Sequence, residues 1–172
     1  MSLIHRLYQP AIPFIMAFLL IILSLPACSL FDGNDRNSAD SSFRENHQKW
    51  QAMDYAEYTF TLDRYCFCGG GLYPAKVVVK ADTIFSVLDP HSQKPVSIDS
   101  TLTYEDVYPT VEDLFDLIKD AMEKDADRLD VEYNNFSGFP WRIDIDYSKQ
   151  IADEEIRYEI TSFSGSSHLY PV

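Results

Sequence analysis

Three cysteines carry the most reactive side chains of this sequence, and two of them stand almost side by side. Cys66 and Cys68 flank Phe67, whereas Cys28 lies alone near the amino terminus. Residues two apart on a flat strand point to one face, with α-carbons about 6.6 Å apart, near the upper limit for a disulfide. A bond between Cys66 and Cys68 therefore requires a bend, which the three glycines at 69–71 make plausible.

Three uses of this thiol pair remain open. A disulfide would stiffen the end of a strand in an oxidising compartment. Two thiolates would suit Cu(I) or Zn²⁺ if further ligands joined them, but His47, His91 and His168 are candidates only by their presence. A strained bond would be redox-active. We predict a structural disulfide, no metal site and no cofactor, with a thiol redox or metal-handling role as the alternative.

The segment before Cys28 has the parts of a lipoprotein signal. One charge, Arg6, precedes an apolar run from Ala11 to Leu25, and Ala27 supplies the small residue before the cleavage site. An uncleaved transmembrane anchor is the alternative, but no Lys or Arg cluster follows the run. We predict that residues 1–27 are a signal peptide and that Cys28 carries the lipid, including palmitate.

A processed signal of this kind predicts a lipid-anchored protein of the bacterial cell envelope. Ser29, not Asp, follows the lipidated cysteine, which favours the periplasmic face of the outer membrane if the host is Gram-negative. Residues 28–42 are polar and poor in large apolar side chains, so we predict a flexible polar tether. Residues 43–172 are then left as a single domain.

The charge of the chain limits its partners. The formal net charge is −13, and removal of residues 1–27, which contain one arginine and no acid, makes it −14. Such a protein repels phosphate backbones and anionic lipid surfaces. We therefore predict no nucleic-acid partner and a membrane contact through the lipid anchor.

Apolar periodicity predicts an α+β domain with a two-layer arrangement and a mostly antiparallel sheet. Phe43, His47 and Trp50 at helical spacing indicate a short N-terminal helix. One main amphipathic helix begins near Thr110, where Asp113 completes a capping box. Its apolar stripe comprises Val111, Leu114, Phe115, Ile118 and Met122.

Alternating apolar residues predict the strands of the sheet. The first strand points Tyr58, Phe60 and Leu62 inward. Further strands are indicated at 75–79, at 84–88, weakly at 96–102, and around three alternating segments nearer the carboxyl end. Those three segments contain Leu129, Val131 and Tyr133, then Ile143 and Ile145, then Ile156, Tyr158 and Ile160.

Catalytic motifs are absent from the sequence. It contains no nucleophile elbow, zinc-protease helix motif, phosphate-binding loop or dinucleotide fingerprint. Asp144 and Asp146 alternate with Ile143 and Ile145, so we predict that both carboxylates face solvent and bind no calcium. We expect no enzymatic activity.

A binding role is what remains for such a module. The 11 Tyr and 2 Trp could line a ligand groove, because rings with polar tips suit peptide or glycan contact. We predict a non-catalytic binding or interaction module for an envelope protein or peptide, with Gly138, Phe139 and Pro140 as the candidate binding turn.

Several of these motifs together resemble one bacterial family. They are Trp50, then Tyr58-x-Phe60-x-Leu62-x-Arg64-x-Cys66-Phe67-Cys68, then Thr110-x-x-x-Leu114-Phe115, and then Tyr133-x5-Phe139-Pro140-x-x-Ile143-x-Ile145-Asp146. The chain is similar, over about residues 50–163, to the domain of unknown function 6174, whose members are small exported proteins and often lipoproteins. The resemblance implies a fold and export, and it implies no activity.

Overall fold

The computed structural model describes residues 32–67 and 71–167. Within these ranges the chain forms two helices, α1 (Asp32–Met53) and α2 (Val111–Glu123). The strands are β1 (Tyr55–Cys66), β2 (Ala75–Lys80), β3 (Thr83–Leu88), β4 (Arg128–Tyr133), β5 (Pro140–Asp146) and β6 (Ile156–Ser167). The predicted signal peptide, Cys28 and Cys68 lie outside the described residues.

The strands form one open antiparallel sheet. Their order is β3-β2-β1-β6-β5-β4, so each half of the chain contributes a three-stranded meander. The two long strands, β1 and β6, pair along the centre from Tyr55↔Ser167 to Cys66↔Ile156. The α+β class and the antiparallel sheet are therefore confirmed.

Both helices contact the same tyrosine of the sheet, Tyr58. The Trp50 ring of α1 meets the Tyr58 ring edge-on at 5.2 Å. The Tyr58 hydroxyl oxygen also accepts a hydrogen bond from the backbone N–H of Val111, at the start of α2. Burial raises the pKa of this phenol strongly, so Tyr58 stays neutral. The inward face predicted for β1 is confirmed, since Tyr58, Phe60 and Leu62 are all buried.

The start of α2 is a capping box, as the sequence predicts. The Thr110 hydroxyl accepts from the Asp113 backbone N–H, and the Asp113 carboxylate accepts from the Thr110 backbone N–H. The reciprocal bonds satisfy amides that the first helical turn leaves unpaired. The buried face of α2 consists of Val111, Leu114, Phe115, Ile118 and Ala121.

Helix α1 is longer than the short helix predicted from residue 43. It begins at Asp32, so residues 32–42 are helical where we predicted a flexible tether. The apolar spacing of residues 43–50 could not reveal this extension, because the added turns are polar. Where this extension joins the predicted helix, Arg44 contacts Asp40 at 2.7 Å, and the Asn46 amide donates to the Ser42 carbonyl one turn earlier.

The chain divides into two compact units, Met1–Ser38 and Ala39–Val172. The second unit contains the whole sheet and begins four residues before the predicted domain start at 43. The first unit is described only from residue 32. Neither helix of the described part is long and apolar enough to span a bilayer.

The weak strand expected at 96–102 does not form. Just before it, Pro95 forms an isolated bridge with Leu88 at the end of β3. Val96 is buried and its N–H bonds to the Val87 carbonyl. Beyond it, the Asp99 carboxylate accepts from the backbone and hydroxyl of Thr101, which closes a turn in place of a strand.

Candidate functional site

The turn between β4 and β5 is held by one asparagine. The Asn134 side-chain oxygen accepts hydrogen bonds from the backbone N–H of Phe136 and from both the N–H and the hydroxyl of Ser137. The Asn134 backbone N–H donates to the Phe139 carbonyl, and the Gly138 N–H donates to the Asn134 carbonyl. These bonds fix the turn without a contribution from the Phe136 ring.

Gly138 allows helix α1 to lie directly on this turn. Its φ of +79° is in the left-handed region. An added β-carbon would lie 2.2 Å from the Asn46 carbonyl oxygen and 2.8 Å from the Lys49 β-carbon. Only glycine therefore permits both the backbone conformation and the close approach of the helix.

An open groove of about 590 Å³ lies beside the turn. Its lining combines five aromatic rings with amide and hydroxyl groups. The lining residues are Tyr55, Asn134, Phe136, Ser137, Phe139, Trp141, Ile160, Thr161, Ser162 and Phe163. None of them is charged, although the whole chain carries a net charge of −13.

The rings of the groove differ in what supports them. Phe139 is buried and stacks on Phe163 with centroids 4.5 Å apart. Phe136 has no ring partner among the described residues and is 80% exposed. Burial raises the pKa of Tyr55, and its hydrogen bond with Ser137 opposes that rise, so this phenol remains neutral at physiological pH. The groove is thus a neutral surface with a buried aromatic floor and one exposed ring.

Of the predicted binding turn, only Phe139 lines the groove. Gly138 acts as the contact with α1, and Pro140 begins β5 opposite Tyr133. Phe136 is not among the residues predicted from the sequence. The order Asn134-x-Phe136-Ser137-Gly138 is typical of an Asx turn with an apolar residue at its tip, and this signal could have identified it.

The two aspartates of β5 are not solvated as predicted. They point away from Ile143 and Ile145, yet Asp144 is only 6% exposed and Asp146 is 9% exposed. The Asp144 carboxylate accepts from the Nε–H groups of Arg142, on its own strand, and Arg157, on β6. The arginine side chains cover the carboxylate. The alternation of apolar residues therefore predicted the correct face of the strand but the wrong solvent exposure.

A second cavity of about 360 Å³ adjoins this ion-pair group. It is lined by Asp130, Val131, Glu132, Arg142 and Asp144. The arginine also contacts Glu132 at 3.7 Å. The ion pairs of Arg142 and Arg157 with Asp144, and of Arg142 with Glu132, therefore connect β4, β5 and β6.

The thiol pair remains a prediction. Cys66 is the last residue of β1, opposite Ile156, and Cys68 lies outside the described residues. His47 bonds to Glu112 at 2.5 Å and packs on Phe115, whereas His91 is exposed in the loop after β3. No group of three potential ligands is close enough to hold a metal ion in the described ranges.

One family model matches residues 42–165, which is more than half of the chain. It is described as a family of unknown function, DUF6174. The chain belongs to DUF6174. The match covers α1 from its middle, all of β1 to β5 and most of β6, so the DUF6174 region includes every residue of the groove. No curated protein matches the chain, and no solved structure matches it either.

Proposed function

We propose that this DUF6174 protein is an exported bacterial lipoprotein whose globular domain is a non-catalytic binding module. Lipid at Cys28 would hold the domain at the cell envelope, on the periplasmic face of the outer membrane in a Gram-negative host. The partner would be an envelope protein or peptide that reaches the domain near the membrane.

The observation that carries the proposal is the exposed ring of Phe136 above a rigid aromatic groove. Asn134 fixes the turn through three hydrogen bonds that do not involve the ring. The ring is therefore held in water at no gain to the fold, and a partner that buried it would gain about 1.5–3 kcal/mol.

A rigid turn also lowers the cost of binding. A side chain on a mobile loop loses conformational entropy when it is captured, which weakens the complex. Here Gly138 lies against α1, and Phe139 is stacked on Phe163. The groove is thus preformed, as in most small-ligand and peptide sites, and its volume of about 590 Å³ suits a few residues of a ligand.

The proposal includes the arrangement in layers. We infer that both helices form one layer against the face of the sheet that contains Tyr58. The support is that Trp50 of α1 and Val111 of α2 contact the same tyrosine. The opposite face, with the ion pairs of Asp144, would then be the outer surface of the sheet.

Site-specific photocrosslinking tests the binding role. A photoreactive phenylalanine derivative replaces Phe136 in the full chain, expressed in a bacterial host, and illumination follows in intact cells. The matched control carries the same group in place of Phe85, which is 67% exposed on β3, outside the groove. We expect a discrete crosslinked product at position 136 and none at position 85.

Phe136→Ala supplies the second arm. Because the ring has no partner in the described residues, the free energy of unfolding should change by less than about 0.5 kcal/mol. Affinity for the crosslinked partner should fall at least tenfold, which equals about 1.4 kcal/mol. Identical products at both positions, or a variant that unfolds more easily and binds normally, would assign the ring to the fold and reject the proposal.

A further inference from the structure

Strand β6 has two neighbours along only part of its length. It pairs with β1 as far as Ser167. Its pairing with β5 covers four residue pairs and stops at Arg142↔Glu159. Within the described chain, residues 161–167 therefore have a strand on their β1 side and none on the other.

The amino-terminal end of β5 explains why its pairing with β6 stops. The register of β4 and β5 shifts between Glu132 and Tyr133, so that Trp141 is left without a partner in β4. The chain then turns at Gly138 towards α1. Strand β5 begins at Pro140 and first pairs with β6 at Arg142, and proline has no backbone N–H to donate, so the row of backbone groups beyond Glu159 is left open.

The open edge lacks the features that protect the outer strands of this sheet. Strand β4 alternates charged residues along its length, namely Arg128, Asp130 and Glu132. Strand β3 ends in the bridge between Leu88 and Pro95. Residues 161–167 read Thr-Ser-Phe-Ser-Gly-Ser-Ser, with no charge and no proline. Charges and prolines are what natural proteins use to block strand addition.

The edge and the groove form one surface. Thr161, Ser162 and Phe163 belong to β6 and also line the groove. The hydroxyls of Thr161 and Ser162 bond to Thr61 of β1, at 3.5 and 2.9 Å. They are therefore turned towards β1 and leave the backbone on the opposite side uncovered by their own side chains.

We propose that an extended segment of a partner polypeptide adds to residues 161–167 as a seventh strand, with its alternate side chains in the aromatic groove. This inference rests on the binding role proposed above and names its mode. Backbone hydrogen bonds would give affinity, and the groove would select apolar side chains at alternate positions.

The net charge of the chain indicates which kind of partner segment can bind. The chain carries a net charge of −13, so an acidic segment or a second copy of the chain is repelled at long range. The edge and the groove are themselves uncharged. The segment is therefore uncharged where it pairs and basic at its flanks.

The probe is the synthetic peptide KKTVTVTVKK, labelled with a fluorophore and titrated against the full chain in detergent. Fluorescence anisotropy reports binding, and amide hydrogen exchange reports where it occurs. One control peptide carries N-methyl groups on alternate core residues, which cannot donate to a strand, and another has glutamates in place of the lysines. We expect either change to weaken binding at least tenfold and only the parent peptide to slow exchange at 161–167, with β3 unchanged.

The same titration on Phe136→Ala separates this inference from the binding role. If the N-methylated peptide binds as well as the parent while Phe136→Ala abolishes binding, the groove binds and the strand addition is wrong. If Phe136→Ala binds unchanged with protection at 161–167, the edge pairs and the role of the exposed ring is wrong. No binding of the parent peptide, or protection of the edge in a dimer without peptide, overturns the strand addition.

Discussion

Asp144 shows how one side chain can connect two strands on the surface of the sheet. It accepts from Arg142 and Arg157 and is almost completely covered. Asp144→Asn would keep the volume and remove the charge that both arginines face. We expect the free energy of unfolding to fall by about 1–3 kcal/mol, as measured by urea titration at neutral pH. The matched control is Asp130→Asn. Asp130 is paired with Asp144 across β4 and β5, and its side chain is 74% exposed. Its replacement should change the free energy of unfolding by less than about 0.5 kcal/mol.

The pH dependence of that difference follows from the pKa of Asp144. Burial raises this pKa, but the hydrogen bonds and charges of Arg157 and Arg142 outweigh burial, so the pKa lies below its usual value of 3.8. A carboxyl whose pKa is lowered by folding stabilises the folded state at any pH above its pKa in the unfolded chain. That stabilisation is lost as the pH falls through the lowered pKa of the folded state. The gap between wild type and Asp144→Asn should therefore be constant near neutrality and shrink below about pH 4. A gap that persisted under acid would mean that packing, and not charge, stabilises the site.

The contact of helix α1 with the turn after β4 depends on Gly138. Gly138→Ala must move the helix, because its β-carbon would overlap the Asn46 carbonyl, and it places alanine at a positive φ. We expect a loss of at least about 1–3 kcal/mol in unfolding free energy. We also expect a changed near-ultraviolet circular dichroism spectrum, because the aromatic rings around the turn, including Trp50 of α1 and Trp141, are then displaced.

Asn135→Ala is the matched control for that substitution. Asn135 is exposed in the same turn, so its replacement should alter neither the unfolding free energy nor the near-ultraviolet spectrum. If Gly138→Ala behaved like Asn135→Ala, the contact between α1 and Gly138 would be looser than in this structure, and the prediction would be wrong.

The elements that sequence reasoning found are those with local causes. The capping box needs only Thr110 and Asp113, three residues apart, and the inward face of β1 needs only alternation. What it missed depends on distant parts of the chain. Arg157 contacts Asp144 from another strand, and the open edge of β6 depends on where its pairing with β5 stops. Side-chain alternation carries no information about which strand ends first.

The net charge of the whole molecule affects how it would work beside a membrane. Repulsion would keep the acidic domain away from an anionic membrane surface, so the lipid anchor would determine how far from the membrane the domain lies. The same acidic charge would favour partners with basic flanks. The tether predicted from the sequence includes the first turns of α1, which are helical from Asp32.

Cys28→Ser tests the tether itself. The wild-type chain should fractionate with membranes and incorporate labelled palmitate, and Cys28→Ser should lose both, because serine cannot carry the thioether-linked lipid. Cys66→Ser is the matched control and should keep the label, since Cys66 lies at the end of β1. A Cys28→Ser chain that remained in membranes without label would instead be held by an uncleaved apolar segment. One that kept both membrane and label would place the lipid on another residue and reject the lipoprotein signal.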